Sequence, residues 1–163
     1  MRTIILCMIF SLAAAGCSSG GFLYRDGWMF SRPGNIRSHV PARRSNIVET
    51  AKQYLGTDYL YGGVTPKGFD CSGFVMYVYR QNRITVPRST RDQFEAGTRV
   101  ALRRARPGDL VFFQTSRKGI SHVGIYLGNY RFIHAPSTGK TVSIAEIKNP
   151  YWHKRFRGAV TFL

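Results

Sequence analysis

The stretch FDCSGFV, residues 69–75, joins a glycine-rich segment to an apolar run with helical spacing. This order predicts a loop followed by a helix that begins at Cys71. In the first turn of a helix the backbone N–H groups lack partners and the dipole is positive, so we expect a lowered pKa for the Cys71 thiol. Cys71 is therefore a candidate nucleophile, and a buried structural cysteine is the alternative.

Charge is the unusual feature of the composition. The 163 residues hold 24 Lys and Arg against 8 Asp and Glu, a net charge of +16. This length allows one ordinary domain with a short leader. Such a positive field favours an acidic partner, and nucleic acid, anionic lipid headgroups and acidic envelope polymers all meet that condition. Charge alone does not choose among them.

The first residues are typical of an export signal. A basic start, Met1-Arg2-Thr3, precedes an apolar stretch of 12 residues, Ile4–Ala15, which is too short to span a bilayer. Small residues then lead directly into Cys17, and this pattern resembles a bacterial lipoprotein signal in which Cys17 is lipidated after cleavage. The alternative is an ordinary secretory signal that is cleaved nearby. Residues 1–16 are thus interpreted as a signal peptide, and export argues against nucleic acid as a partner.

Export also makes the cysteine count informative. Cys7 leaves with the leader and Cys17 carries the lipid, so Cys71 remains as the single free thiol in an oxidising compartment. This favours catalysis over a structural role. Residues 17–45 are interpreted as a lipidated N-terminus and a flexible basic tether of roughly 30 Å, and residues 46–163 as the catalytic domain.

The domain has helix signals first and strand signals later. We predict a first helix from a cap at Asn46 to Gly56, a second from Cys71 to about Asn82, and a third from a Ser89 cap to Gly97. Five short runs with a period of two follow, at residues 109–113, 121–127, 131–135, 141–144 and 158–162. This order favours an α+β fold with N-terminal helices packed on a C-terminal antiparallel sheet.

Two histidines, His122 and His134, fall in adjacent predicted strands. A three-residue hairpin loop would pair Gly124 with His134 and place both imidazoles on one face about 7–8 Å apart at the backbone, whereas a two-residue loop would separate the faces. A thiolate needs an imidazole beside it, and that imidazole needs an orienting group, which Cys71, His122 and His134 supply in that order. A zinc site with these three ligands is the chemical alternative; we expect no metal and no cofactor.

Six blocks in this order resemble the NlpC-type (NlpC/p-sixty) cysteine peptidases of bacterial cell walls. The resemblance runs from about residue 46 to the C-terminus and rests on Tyr59-x-Tyr61-Gly62-Gly63, Asp70–Phe74, Pro87–Thr90, Pro107–Leu110, His122–Tyr126 and Phe132–Ala135. It implies a papain-like fold, with Cys71 as nucleophile, His122 as base and His134 as orienting residue. It further implies that Tyr59 and the Cys71 N–H support the oxyanion, and that Asp70 and Ser72 line the substrate side.

The resemblance also implies a function. We expect a monomeric peptidoglycan endopeptidase that cuts amide bonds to diaminopimelate in stem peptides, lipid-anchored to a bacterial membrane at the periplasmic face of the outer membrane. The alternatives are a catalytically silent lipoprotein that binds the wall, and a papain-like lipid acyltransferase or amidase.

Overall fold

The computed structural model describes residues 36–116 and 119–163. The predicted signal peptide, the lipidation site Cys17 and residues 17–35 of the predicted tether lie outside the described residues. The helices are α1 (Ile36–Lys52), α2 (Cys71–Gln81), α3 (Thr90–Ala96) and α4 (Pro150–Arg155), with a short 3₁₀ turn at Leu102–Arg104. The strands are β1 (Val64–Thr65), β2 (Gly68–Phe69), β3 (Thr98–Val100), β4 (Leu110–Phe113), β5 (His122–Gly128), β6 (Arg131–His134), β7 (Ser143–Glu146) and β8 (Phe156–Thr161).

The larger sheet has six antiparallel strands in the order β3-β8-β4-β5-β6-β7, and β1 pairs with β2 separately. Helices therefore precede an antiparallel sheet along the chain, and the predicted α+β class is confirmed. Because strand side chains alternate between faces, β4 contributes Leu110 and Phe112 to the core under α1 and α2. Its Val111 and Phe113 pack into the core on the other face, where Trp152 of α4 lies.

Helix α2 begins where the sequence predicts. The Asp70 carboxylate accepts the Gly73 N–H at 2.7 Å, which satisfies one of the unpaired donors at the start of the helix. The helix ends at its predicted cap, Asn82. Its buried face includes Phe74 and Val78, and burial of each such side chain contributes about 1.5–3 kcal/mol. Helix α3 is likewise capped by Ser89 and ends at Gly97, as predicted.

Helix α1 differs from the prediction. It begins at Ile36, so the predicted cap at Asn46 is wrong, and residues 36–45, assigned to a flexible tether, are helical. Arg44 holds this extension to the sheet through the buried Asp109 carboxylate at 2.7 Å and the Pro107 carbonyl at 3.2 Å. The helix also ends at Lys52, before Gly56. These partners are remote in sequence, so local spacing did not reveal them.

The strand boundaries also differ in places. The run at residues 141–144 was predicted to be a strand, but β7 lies two residues later at Ser143–Glu146. Strands β3 and β1–β2 and helix α4 were not predicted. No helix in residues 36–116 or 119–163 combines the length and apolar character needed to cross a bilayer.

The hairpin between β5 and β6 has the strand register that a three-residue loop would give, but its loop is shorter. Its loop has two residues, Asn129 and Tyr130, both with positive φ (51° and 61°), and Gly128 pairs with Arg131. The loop is therefore the two-residue alternative, which by itself was expected to place the two histidines on opposite faces. An irregularity between Tyr126 and Gly128 shifts the register back by one residue, so Ile125 pairs with Ile133. Continuation of that register places Gly124 opposite His134, as predicted.

Candidate active site

Cys71 is the first residue of α2 and lies against strand β5. Its side chain is half-buried, and Sγ lies 3.7 Å from the Thr90 hydroxyl oxygen. Sγ also accepts a hydrogen bond from the backbone N–H of Val123. Val123 directly follows His122, so the contact between α2 and β5 brings the thiol next to that histidine's strand position. Helix α3, whose first residue is Thr90, covers the same site from another side.

The expected lowering of the Cys71 pKa is wrong for the resting site. Burial raises the pKa of this thiol above its usual value, and the Asp70 carboxylate adds to the rise. The Thr90 hydroxyl and the N–H groups of Val123 and Ser72 act in the opposite direction but do not reverse it. Cys71 is therefore a neutral thiol near pH 7 in the free protein, and a base must take its proton.

The two histidines form a buried hydrogen-bonded pair. Nε2 of His122 lies 2.8 Å from Nδ1 of His134, with the rings nearly perpendicular. Gly124 permits this approach, because a Cβ there would lie 2.6 Å from a Phe132 ring carbon and 2.9 Å from the Ile133 carbonyl oxygen. The structure thus brings together the two histidines that the strand register had paired.

Burial keeps both imidazoles neutral. It lowers the pKa of His122 to about 4, and it lowers that of His134 to about 3, with further contributions from His122 and Lys140. A neutral His122 carries one N–H. A proton on its Nε2, donated to His134, leaves Nδ1 as an acceptor.

An aromatic wall, absent from the sequence predictions, holds this pair. The Trp152 ring stacks on His122 at 5.4 Å and meets the edge of His134 at 4.9 Å, and Phe132 packs 4.8 Å from His134. The sequence signal was the aromatic pair Tyr151-Trp152 beside His153, which carries no spacing that points to the histidines. Apolar rings on these sides exclude water, and they account for the lowered histidine pKa values.

Asp70 and Ser72, on either side of Cys71, share one arginine. The Arg88 guanidinium contacts both Asp70 carboxylate oxygens, at 3.0 and 2.5 Å, and the Ser72 hydroxyl at 2.9 Å. Gln93, which is fully buried, ties α3 to this segment by donating to the carbonyls of Ser72 and Pro87 at 3.0 and 2.7 Å. The polar residues around the thiol are therefore fixed before any ligand binds.

Two depressions are lined by the candidate catalytic residues, and Ser121 of the first directly precedes His122 of the second. The first, of about 360 Å³, is the Cys71 groove, and its lining includes Tyr59, Asp70, Cys71, Ser72, Arg88 and Thr90. The second, of about 480 Å³, is the His122 cavity, and its lining includes Thr115, His122, Lys140, Tyr151 and Trp152. Cys71 therefore lines one depression and His122 lines the other.

The sequence-predicted site residues therefore gather at one place, with Cys17 outside the described residues. Tyr59, Asp70, Cys71 and Ser72 share the groove, while His122 faces the cavity and His134 lies behind it. Burial raises the pKa of Tyr59, followed by the effect of Cys71, so its phenol remains a donor. Across the described ranges, no cluster of three or more His, Cys, Asp or Glu side chains could hold a metal ion.

Comparison with known proteins matches this chain to one protein family. Residues 56–161 match the family model described as the NlpC/P60 family. The chain is 44% identical over 119 residues to a gamma-DL-glutamyl hydrolase of Bacillus subtilis, covering 71% of this chain and 29% of that protein. It is 44% identical over 117 residues to the murein DD-endopeptidase MepS/murein LD-carboxypeptidase of Escherichia coli, covering 71% and 61%.

A solved structure agrees with these sequence matches. An NlpC/P60 family protein from Bacillus cereus superposes with a TM-score of 0.70 at 32% identity, over 74% of this chain and 40% of that one. The chain thus spans less than two thirds of the length of these relatives.

Proposed function

The chain belongs to the NlpC/P60 family, and we propose that it is a cysteine-type peptidoglycan endopeptidase that cuts amide bonds to diaminopimelate in stem peptides. The observation that carries this proposal is the 2.8 Å hydrogen bond between His122 and His134. The pair lies on the strands next to Cys71, the first residue of α2. The names of the two relatives support the substrate class, since one is a glutamyl hydrolase and the other a murein endopeptidase.

The first step is nucleophilic attack by Cys71 on the amide carbonyl. Because the thiol and the imidazole are both neutral at rest, the sulfur transfers its proton to Nδ1 of His122 as the S–C bond forms. His134 accepts the Nε2–H of His122, which fixes the ring and stabilises the imidazolium that results. The Tyr59 hydroxyl and the Cys71 N–H donate to the tetrahedral oxyanion.

The second step breaks the C–N bond. His122, now an imidazolium, gives its proton to the departing amine, and the acyl group stays on Cys71 as a thioester. Water, which gives a proton to the neutral His122, then attacks the thioester carbonyl; the C–S bond breaks, the acyl group leaves as a carboxylic acid, and His122 returns the proton to the Cys71 sulfur. Since the amine must reach His122, the amine half of the substrate occupies the His122 cavity and the acyl half occupies the Cys71 groove.

Incubation of the purified full chain with defined monomeric and crosslinked muropeptides tests this function. Product masses distinguish cleavage of the γ-D-glutamyl–diaminopimelate bond from cleavage of the D-alanyl–diaminopimelate crosslink. The Cys71→Ala variant is the matched control and should bind sacculi without cleaving them. Binding without cleavage by the parent would instead favour the silent wall-binding lipoprotein, and acyl transfer to or from lipid would favour the acyltransferase.

We also propose that the chain acts from a lipid anchor on Cys17 at the periplasmic face of the outer membrane. Without residues 1–16, which include Arg2 and no acidic residue, 23 basic and 8 acidic side chains remain, a net charge of +15. This charge attracts the carboxylates and phosphates of the envelope. The mass of the mature N-terminal peptide should include diacylglycerol, and membrane fractionation of Cys17→Ser should show a soluble protein.

A further inference from the structure

Beside the His122 cavity lies a third depression, which the proposed reaction does not use. This depression, of about 390 Å³, is lined by Gln114, Thr115, Ser116, Lys154, Arg155 and Arg157, and we call its three cations the basic ledge. Thr115 lines both spaces. Lys140 lines the His122 cavity itself, so four cations line the two depressions together.

The cations of the basic ledge keep their charge available. Arg157 donates Nε to the Gln114 side-chain oxygen at 2.9 Å and a terminal N–H to the Phe156 carbonyl at 2.9 Å. Arg155 donates to the Tyr151 carbonyl at 3.0 Å and lies 3.8 Å above the Tyr151 ring. These acceptors orient the guanidinium groups but are neutral.

Carboxylates are also scarce in the C-terminal third of the chain, although Asp58 pairs with Thr141 next to Lys140. Residues 110–163 contain eight Lys and Arg and a single acidic residue, Glu146. In the part of the chain that the structure describes, none of the ion pairs includes Lys140 or a residue of the basic ledge. The positive charge of Lys140 also acts on the histidine pair. Burial and His122 lower the pKa of His134, and Lys140 lowers it further.

We propose that Lys140 and the basic ledge bind carboxylates on the half of the substrate that leaves as the amine. The inference rests on the proposed function, which places the amine half in the His122 cavity. Diaminopimelate bears two carboxyl groups, and in the D-alanyl–diaminopimelate crosslink the free one is bonded to the carbon that carries the leaving amine. When this crosslink is cut, that carboxylate enters the His122 cavity beside the amine. Lys140 takes this carboxylate, and the basic ledge takes acidic groups farther along the leaving strand. These residues thus determine specificity for an anionic leaving half.

Two substrates that differ in one group test the proposal. They share the scissile bond, and the free carboxyl of diaminopimelate on the amine half is either a carboxylate or a primary amide. The parent should cleave the carboxylate form with a kcat/KM about threefold to fivefold higher, the effect expected of one exposed ion pair. Lys140→Gln should remove this preference, and Lys140→Arg should restore it.

Two double variants distinguish an effect of the basic ledge from an effect of the protein's net charge. Lys154→Gln with Arg157→Gln should lower kcat/KM for a crosslinked substrate by about threefold. Arg43→Gln with Arg80→Gln removes the same charge from helices α1 and α2, on the other face of the sheet, and should leave kcat/KM unchanged. Circular dichroism and thermal unfolding establish that each variant is folded.

The outcomes distinguish this inference from the function on which it rests. If the parent cleaves both forms at equal rates, the carboxylate site is wrong while the endopeptidase stands. If the parent cleaves neither, the endopeptidase and the carboxylate site both fail. If the ledge variant keeps its substrate rates but loses binding to phosphatidylglycerol vesicles, the ledge contacts membrane lipid and the substrate assignment is overturned.

Discussion

Replacement of Thr90 by valine removes a hydroxyl beside the thiol while keeping the side-chain shape. The Thr90 oxygen lies 3.7 Å from Sγ of Cys71, and this contact is the largest of those that oppose the effect of burial on the Cys71 pKa. A hydrogen bond to a charged group contributes about 1.5–3 kcal/mol. Because a sulfur contact of this length is weaker than such a bond, we expect a loss just below this range, about 1.4 kcal/mol, or tenfold in the thiolate population.

The assay is the rate of Cys71 alkylation by iodoacetamide as a function of pH, which reports the thiolate without any substrate. Thr90→Val should raise the pKa of Cys71 further and lower the alkylation rate about tenfold at pH 7. At a pH above the thiol pKa the two proteins should react at similar rates. Thr90→Ser keeps the hydroxyl and should stay within about twofold of the parent.

A valine variant whose pH profile overlays that of the parent would refute the reasoning. Equal losses at every pH, including the alkaline limit, would also refute it, because they would indicate a changed approach to the sulfur. In either case the Thr90 hydroxyl would not stabilise the Cys71 thiolate.

Three further predictions concern the histidine pair and the buried ion pair. His134→Ala leaves a buried Nε2 of His122 without its partner, and we expect kcat to fall at least about 100-fold in a muropeptide assay; retention of kcat would contradict the orienting role. His122 and His134 have folded-state pKa values of about 4 and about 3, below the 6.5 of an unperturbed histidine, so the unfolded state binds more protons as pH falls. Their contribution to stability is complete above pH 6.5 and declines through about pH 4, so Tm should decrease across that range; a flat Tm would count against burial of neutral rings. Arg44→Leu leaves the buried Asp109 carboxylate without its partner and should lower the free energy of unfolding in urea by about 3–5 kcal/mol. Lys52→Leu, which removes an exposed ion pair with Glu49, should lower it by less than about 1 kcal/mol. Similar losses in the two variants would argue against the Arg44 anchor.

Local sequence chemistry predicted the parts of the site that lie within a few residues of one another. The change from a glycine-rich segment to an apolar helical run predicted the start of α2 at Cys71, and Ser89 with Gly97 bounded α3. These helix boundaries depend on capping and periodicity, which a single sequence displays. The alternation along β5 and β6 left the faces of His122 and His134 dependent on the loop length, and they share a face because of the irregularity between Tyr126 and Gly128.

The features that were wrong or missed depend on contacts between distant segments. Helix α1 extends back to Ile36 with an anchor between Arg44 and Asp109, 65 residues apart. The raised pKa of Cys71 depends on burial by packing, which the helix start alone does not reveal. Trp152 reaches the histidine pair only because α4 packs on the sheet.

The rate of muropeptide cleavage by the parent and by Cys71→Ala, measured side by side by liquid chromatography and mass spectrometry, tests the central claim most directly. We predict that the parent releases products cut at a bond to diaminopimelate and that the variant, equally folded, is slower by about 10⁴-fold or more. Cleavage by Cys71→Ala within about tenfold of the parent rate would show that Cys71 is not the nucleophile.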